Sequence, residues 1–171
     1  MLPIEVRRAD ASHAVLISVL GAATFYEAYF EQDESADLAD YCRVSFAPDK
    51  IRAEIENPNA TFFIAYSNGK AIGYAKLRTG ETIDSVSENS IELQRIYILE
   101  RFWGKGVGEI LLNHCLETAR EKGFQAFWLG VWEENIRGQK FYAKFGFRQI
   151  GTLTFPYGET VGINLVLEKE L

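Results

Sequence analysis

The hydrophobic residues of this chain follow two spacings, one typical of strands and one typical of helices. Residues 62–77, FFIAYSNGKAIGYAKL, form two apolar runs around the dipeptide Asn68-Gly69, whose residues readily adopt positive φ angles. This pattern predicts a tight β-hairpin. Further apolar runs predict strands at 4–9, 91–99 and 126–132, and two more strands joined around 156–159.

Apolar residues at helical spacing predict five helices. The first follows Asp10 or Ser12, either of which can cap it, and we expect its apolar face to carry Val15, Leu16, Val19 and Leu20. The others are expected at 35–46, 48–57, 108–122 and 135–145. Together the elements predict a mixed α/β fold, largely antiparallel in its front half, with a strand–loop–helix–strand unit behind it.

The composition indicates a folded protein and excludes some partners. The chain has 171 residues, of which 47% are hydrophobic and 25% charged, so we expect one domain over residues 1–171 with a substantial core. The net charge of −6 argues against a nucleic-acid partner, because nucleic-acid binding requires a basic surface.

The cysteines and histidines predict neither a disulfide framework nor a metal site. Cys42 and Cys115 are far apart in sequence, and Cys115 lies on the apolar side of a predicted helix, as a core thiol would. His13 and His114 have no second ligand at metal-binding spacing.

The first residues loosely imitate a signal peptide. Arg7 and Arg8 precede an apolar run at 14–23, but Glu5 and Asp10 interrupt the basic region and the run is too short to span a bilayer. We therefore expect no membrane association and a cytoplasmic location.

The strongest chemical signal is a glycine-rich stretch directly before a helix. Residues 100–123, ERFWGKGVGEILLNHCLETAREKG, combine three alternate glycines with two cations: Gly104, Gly106, Gly108, Arg101 and Lys105. Free N–H groups at a helix start favour an anion, glycines let the backbone approach it, and cations add charge-assisted bonds. The P-loop pattern is absent, and the third glycine of the dinucleotide fingerprint would fall on Glu109. The pattern that matches is R-x-x-G-x-G.

This pattern resembles the diphosphate loop of the GNAT superfamily of acetyl-CoA-dependent N-acetyltransferases. LQRIYIL, directly before the loop, resembles the family's splayed strand, and WLGVWEENIRGQKFYAKFGF resembles its second cofactor motif. More narrowly, IELQRIYI, WLGVWEEN, FYAKFGF and TFYEAYF are similar to spermidine/spermine N-acetyltransferases of the PaiA type. The resemblance implies a central, mostly antiparallel mixed sheet of about seven strands flanked by helices.

The resemblance also implies acetyl-CoA as cosubstrate and the residues that bind it. An extended pantetheine arm can pair with a strand edge as a missing strand would. The implied pantetheine, diphosphate and second-motif positions are Ile96, Tyr97, Ile98, Arg101, Phe102, Trp103, Gly104, Lys105, Gly106, Val107, Gly108 and Asn135.

Acetyl transfer to an amine needs a group that accepts a proton. A primary amine with a pKa of about 10.4 is mostly protonated near pH 7. Removing its proton at that pH costs about 4.6 kcal/mol. Glu92 is the candidate base, because it lies on the strand leading to the loop. An exposed strand carboxylate is an equally good interpretation of Glu92, and water, Glu133 and Glu134 are alternatives as base.

The leaving thiolate needs an acid or a hydrogen-bond donor, and the resemblance assigns this role to Tyr142. A phenol is a weaker acid than a thiol, by about 2 kcal/mol, so a hydrogen bond to sulfur is as credible as full proton donation. The alternative for Tyr142 is packing beside Phe141 and Phe145.

The acceptor is expected to be a small amine, first of all a polyamine. The segment after residue 26 is rich in carboxylates and aromatic rings, which suit a polycation. Glu27, Glu31 and Tyr29 are the candidate acceptor residues, the two carboxylates sharing a face if the first helix extends that far. The alternatives are another small amine, an amino acid or a protein N-terminus, and an acyl-CoA-binding module without turnover. Pairing of two chains through the C-terminal strands is left open.

Overall fold

A computed structural model describes residues 3–81, 83–157 and 160–171. The described part of the chain forms seven strands and five helices. The strands are β1 (Ile4–Arg8), β2 (Ala60–Ser67), β3 (Lys70–Arg78), β4 (Ser90–Ile98), β5 (Ala126–Trp132), β6 (Arg148–Tyr157) and β7 (Thr160–Glu170). The helices are α1 (Ala14–Tyr29), α2 (Ser35–Ser45), α3 (Pro48–Glu56), α4 (Val107–Glu121) and α5 (Ile136–Lys144). Two short 3-10 turns, Ala11–His13 and Glu100–Phe102, were not expected from the sequence.

The fold class is confirmed. The strands form one open sheet in the order β1-β2-β3-β4-β5-β7-β6, flanked by the helices. Pairing is parallel between β4 and β5 and antiparallel in the pairs β1–β2, β5–β7 and β6–β7. The parallel register extends over three residue pairs only, from Ser90↔Ala126 to Glu92↔Trp128, whereas β5 pairs with β7 over seven.

The chain divides into two compact units. The first comprises Met1–Leu77 and Arg95–Cys115, and the second comprises Arg78–Gln94 and Leu116–Leu171. The expectation of a single domain over residues 1–171 stays a prediction.

The hairpin between β2 and β3 is confirmed. Its two turn residues, Asn68 and Gly69, have φ angles of 49° and 75°. Two successive positive φ angles are the mark of the turn that matches the twist of an antiparallel strand pair. Residues 158–159 of the connection predicted around 156–159 lie outside the described residues.

The predicted inner face of α1 is wrong at three of four positions. Val15, Leu16 and Val19 are 55%, 39% and 64% exposed, and only Leu20 is buried. The helix is apolar all round, so its pattern cannot identify the packed side. The packed side is shown by the close approach at Gly21, where a Cβ would lie 2.6 Å from the Phe46 ring. The buried face also contains Ala14, Ile17, Ser18, Thr24 and Phe25.

The stretch Ala11–Tyr29 is long and apolar enough, by length and composition, to cross a membrane. Core helices of soluble proteins meet the same criterion, so this finding does not by itself indicate a membrane span. Asp10 caps the 3-10 turn Ala11–His13 that leads into this helix, its carboxylate accepting the Ser12 amide at 2.9 Å.

Candidate active site

The glycine-rich loop, in the first unit, has the backbone geometry of an anion site. Gly104 and Gly106 have φ angles of 70° and 82°, which L side chains rarely adopt. The Gly106 carbonyl accepts the first bond of α4, from the Ile110 amide at 3.1 Å. Among the described residues, no acceptor pairs with the amides of Gly104, Lys105 and Gly106. Three backbone donors at a helix start are therefore available to a phosphate.

The two loop cations are exposed, and both lie near one aromatic ring. The guanidinium carbon of Arg101 and the ammonium nitrogen of Lys105 lie 5.7 and 5.4 Å from the centre of the Phe102 ring. Within the described part of the chain, neither cation has a carboxylate within 4.0 Å. No described carboxylate thus neutralises their charge. Together with the free amides, this chemistry fits the diphosphate of coenzyme A.

Several hydrogen bonds fix the chain just before the loop. The Trp103 indole donates to the Ile98 carbonyl at 2.8 Å, and the Phe102 amide donates to the Leu99 carbonyl at 2.9 Å. The Glu100 amide donates to the side chain of Glu27 at 2.9 Å. Trp103 thus ties the loop to the end of β4, and Glu27 ties it to α1.

The second half of β4 lies beside a cluster of aromatic side chains in the first unit. Ile96, Tyr97 and Ile98 are all half-buried, on both faces of the strand. Phe25 contacts Tyr97, with ring centres 6.1 Å apart, and stacks on Tyr41 at 4.3 Å. Half-burial leaves these strand residues accessible enough to meet a ligand, as the pantetheine prediction requires.

The predicted acceptor residues do not share one helix face. Helix α1 ends at Tyr29, so Glu31 lies beyond it, and the condition for pairing Glu27 with Glu31 is not met. Glu31 is exposed. Tyr29 packs against Phe25 at 4.5 Å, and burial raises the pKa of its phenol to about 12. Tyr29 is therefore a neutral hydrogen-bonding group at physiological pH.

Sequence reasoning missed a buried charged cluster in the first unit. The Glu54 carboxylate accepts hydrogen bonds from Lys76 at 2.8 Å and from Arg95 at 2.9 Å. The side chains of Lys76 and Arg95 are only 6% and 12% exposed. Burial alone would raise the pKa of Glu54, but the charge of Arg95 and the hydrogen bond and charge of Lys76 together lower it. One carboxylate is thus shared by two largely buried cations.

A buried tyrosine completes this cluster. The Tyr74 hydroxyl is fully buried and finds no hydrogen-bond partner within the described residues. Burial raises the pKa of Tyr74, and the charge of nearby Arg95, which lacks hydrogen-bond geometry to it, only partly opposes this. Lys76 in an apolar strand and Arg95 in LQRIYI were the available signals, because a charge inside a strand pattern needs a buried partner.

Glu92, the candidate base, lies in the second unit and is 8% exposed. The Nε of Arg78 donates to its carboxylate at 2.7 Å. Glu92 is therefore not the exposed strand carboxylate that was the alternative interpretation. The other candidate bases, Glu133 and Glu134, are exposed at the end of β5.

Tyr142, also in the second unit, is 7% exposed on α5. Its ring contacts Phe141 and Phe147, with centres 5.2 and 5.6 Å away. Asn135 caps α5, its side-chain oxygen accepting the Gly138 amide at 2.8 Å. A Cβ on residue 138 would lie 2.8 Å from the Asn135 amide nitrogen, which explains glycine at that position.

Comparisons with known proteins agree with this geometry. The model of the acetyltransferase (GNAT) family matches residues 21–147. An uncharacterised N-acetyltransferase of Lactobacillus delbrueckii subsp. lactis is 28% identical over 169 residues, which cover 98% of this chain and 96% of that protein. Human N-acetylaspartate synthetase is 28% identical over 139 residues, which cover 78% of this chain and 41% of that protein.

A solved structure shares the fold. The PaiA N-acetyltransferase of Thermoplasma acidophilum, in complex with coenzyme A, superposes with a TM-score of 0.81 at 22% identity, covering 99% of this chain and 100% of that one. At this identity the likeness concerns the fold. Since the family model spans most of the chain, the chain belongs to the acetyltransferase (GNAT) family and is an acetyl-CoA-dependent N-acetyltransferase.

Proposed function

We propose that this acetyltransferase acetylates a primary amine in the cytoplasm, and that the amine is a polyamine such as spermidine or spermine. The observation that carries the proposal is the acidic segment 31–40, with five carboxylates and no Lys or Arg. Glu31, Glu34, Asp37 and Asp40 are exposed, and among the described residues only Asp40 of these four meets a cation, Arg43 at 3.4 Å. Such a surface attracts a chain of ammonium groups.

Aromatic packing links the acidic segment to β4, the strand proposed to pair with pantetheine. Tyr41 of α2 stacks on Phe25, and Phe25 contacts Tyr97 of β4. Because Asp37 and Asp40 lie on α2, these rings hold those two carboxylates in a fixed relation to the strand. The exposed ring of Phe30, in contact with Tyr26 at 5.9 Å, adds an aromatic face beside the segment.

In this proposal the first unit holds the cosubstrate. The free amides of the glycine loop and the cations Arg101 and Lys105 bind the diphosphate, and the backbone of Ile96–Ile98 pairs with pantetheine. Acetyl-CoA supplies the acetyl group as a thioester. A backbone N–H of the same strand polarises the acetyl carbonyl.

The amine must lose a proton as its nitrogen bonds to the acetyl carbon. Glu92 is the proposed acceptor of that proton, directly or through water. The Nε of Arg78 holds this carboxylate in place at 2.7 Å. The exposed Glu133 and Glu134, and water alone, are the competing acceptors.

The sulfur must be stabilised as its bond to the acetyl carbon breaks. Tyr142 is proposed to donate a hydrogen bond, or its proton, to that sulfur. Its ring is held between Phe141 and Phe147, so the phenol has little freedom to turn away. If removal of the hydroxyl leaves kcat unchanged, packing against these rings is the whole role of Tyr142.

A second acceptor class is favoured by the cluster around Glu54. Arg95, which is 12% exposed, and the Tyr74 hydroxyl, which has no hydrogen-bond partner within the described residues, would suit a carboxylate. The acceptor would then be an amino acid or another amine that carries a carboxylate. A relative named N-acetylaspartate synthetase is consistent with this class.

Thiol release from acetyl-CoA with an acceptor panel tests the proposal. The panel contains spermidine, spermine, putrescine, aspartate, other amino acids and an Ala- or Ser-starting peptide. We expect fast turnover with spermidine or spermine, a kcat reduced about 100-fold in Tyr142→Phe, and no change in Tyr66→Phe, a tyrosine on β2.

Neutralising the acidic segment supplies the specificity control. The triple variant Glu34→Gln, Asp37→Asn, Asp40→Asn should raise the KM for spermidine and leave the KM for acetyl-CoA unchanged. Turnover with aspartate alone, lost in Arg95→Gln, would replace the polyamine by the second class. Binding of acetyl-CoA with no thiol release from any amine would refute turnover of the panel's acceptors and favour a binding module.

A further inference from the structure

Glu27 makes a contact that its assignment as an acceptor residue did not anticipate. It lies in the last turn of α1, and one of its carboxylate oxygens accepts the backbone amide of Glu100 at 2.9 Å. Glu100 is the first residue of the 3-10 turn Glu100–Phe102. This turn leads directly into the glycine loop.

The first amides of any helical turn lack a partner inside the turn. Leu99, which precedes Glu100–Phe102, has no side chain that could accept one of them. Glu27 therefore supplies, from another helix, the acceptor that a capping residue normally supplies. The contact fixes the position of the backbone at Glu100, just before the glycine loop.

The charge of Glu27 supports a positional role. A carboxylate has the same sign as a diphosphate and opposes its binding, so it contributes nothing by attraction to the loop's ligand. Within the described residues, its contribution to the loop is the one hydrogen bond to Glu100. An uncharged oxygen in the same place would serve equally well.

We propose that Glu27 is a positioning residue of the cofactor loop: it holds the Glu100–Phe102 turn so that the loop amides are arranged to bind the diphosphate of coenzyme A. It does not bind the acceptor amine. The inference rests on the proposed function only in that the loop binds coenzyme A, and it is independent of which amine is acetylated. It also makes α1, the helix that precedes the acidic segment, a support of cofactor binding.

The test compares Glu27→Ala and Glu27→Gln, with Glu31→Ala as matched control. Glu31 is an exposed glutamate four residues on, with no hydrogen bond in the described structure. The measurements are the Kd for coenzyme A by calorimetry, hydrogen exchange of the peptide covering residues 97–106 in the free protein, and the KM for the amine.

We expect Glu27→Ala to weaken coenzyme A binding about fivefold and to speed exchange in the peptide, as loss of a cap would. Glu27→Gln should stay within about twofold of wild type, because its amide oxygen can accept the same bond. Glu31→Ala should match wild type in the Kd for coenzyme A and in hydrogen exchange of the peptide.

Two results would overturn the inference. One is unchanged exchange and unchanged coenzyme A binding in Glu27→Ala. The other is an equal rise in the KM for the amine in both Glu27 variants with the Kd for coenzyme A unchanged, which would make the charge an acceptor-binding group. If wild type binds coenzyme A but acetylates no polyamine, the proposed acceptor fails while these measurements still decide the role of Glu27.

Discussion

Replacing Gly106 with alanine tests whether the backbone of the loop, rather than its cations alone, binds the cosubstrate. Gly106 has φ +82°, and a Cβ there would meet no atom within 4 Å. The variant therefore adds no clash and removes no contact. The cost is that of placing an L side chain in the left-handed region, about 1–2 kcal/mol.

This cost lowers the stability of the free protein if the loop needs the positive φ angle before binding. It weakens coenzyme A binding if the loop adopts that angle only in the complex. In the free protein the exposed loop can relax toward a negative φ, since the amides of residues 104–106 have no acceptor among the described residues and only the bond from the Ile110 amide to the Gly106 carbonyl has to adjust. Binding of coenzyme A then has to restore the strained conformation. A strain of about 1–2 kcal/mol corresponds to a Kd raised about 5- to 30-fold.

Gly123 offers a matched control. It follows α4 with φ +81°, and it too has open space around an added Cβ. Gly123→Ala should therefore lower the melting temperature but leave the Kd for coenzyme A unchanged. Calorimetric titration of both variants with coenzyme A measures the difference. Unchanged binding in Gly106→Ala, or equal weakening in both variants, would refute the reasoning.

Further substitutions probe other parts of the fold. Gly73→Ala should destabilise the protein by about 1–3 kcal/mol in chemical unfolding, because its Cβ would lie 2.7 Å from the backbone oxygen of Tyr97; wild-type stability would show that β4 gives way freely. Glu54→Gln should lower stability near pH 7, and the difference from wild type should shrink as the pH falls below about 4.5, since a carboxyl with a lowered pKa stabilises only while ionised; a pH-independent difference would contradict this. Asn135→Ala should cost about 1 kcal/mol through loss of the α5 cap, measured by thermal unfolding, and an unchanged melting temperature would show that the cap is not needed.

The sequence predicted those elements whose signal is local. Asn68-Gly69 specifies its turn through the φ angles that these two residues tolerate, so the hairpin was predictable. The strand and the helix on either side of the glycine-rich loop were likewise predicted from the residues of that stretch itself. In each case the determining interaction lies within a few residues along the chain.

The rest depends on contacts between residues distant in sequence. The inner face of α1 is decided by the fit of Gly21 against Phe46, which no periodicity reveals in a helix that is apolar on every side. The partnership of Glu54 with Lys76 and Arg95 joins three elements, and the bond from Glu100 to Glu27 joins residues 73 positions apart.

The shared carboxylate of Glu54 has an evolutionary consequence. Losing it removes the carboxylate that two buried cations share, whereas losing either cation alone leaves a simple ion pair. The order of substitution is therefore constrained: Lys76 or Arg95 can be replaced first, and Glu54 only after one of them has gone. Across divergent descendants of this chain, the three positions should change as a group, with neutral residues at 54 accompanied by the loss of at least one cation.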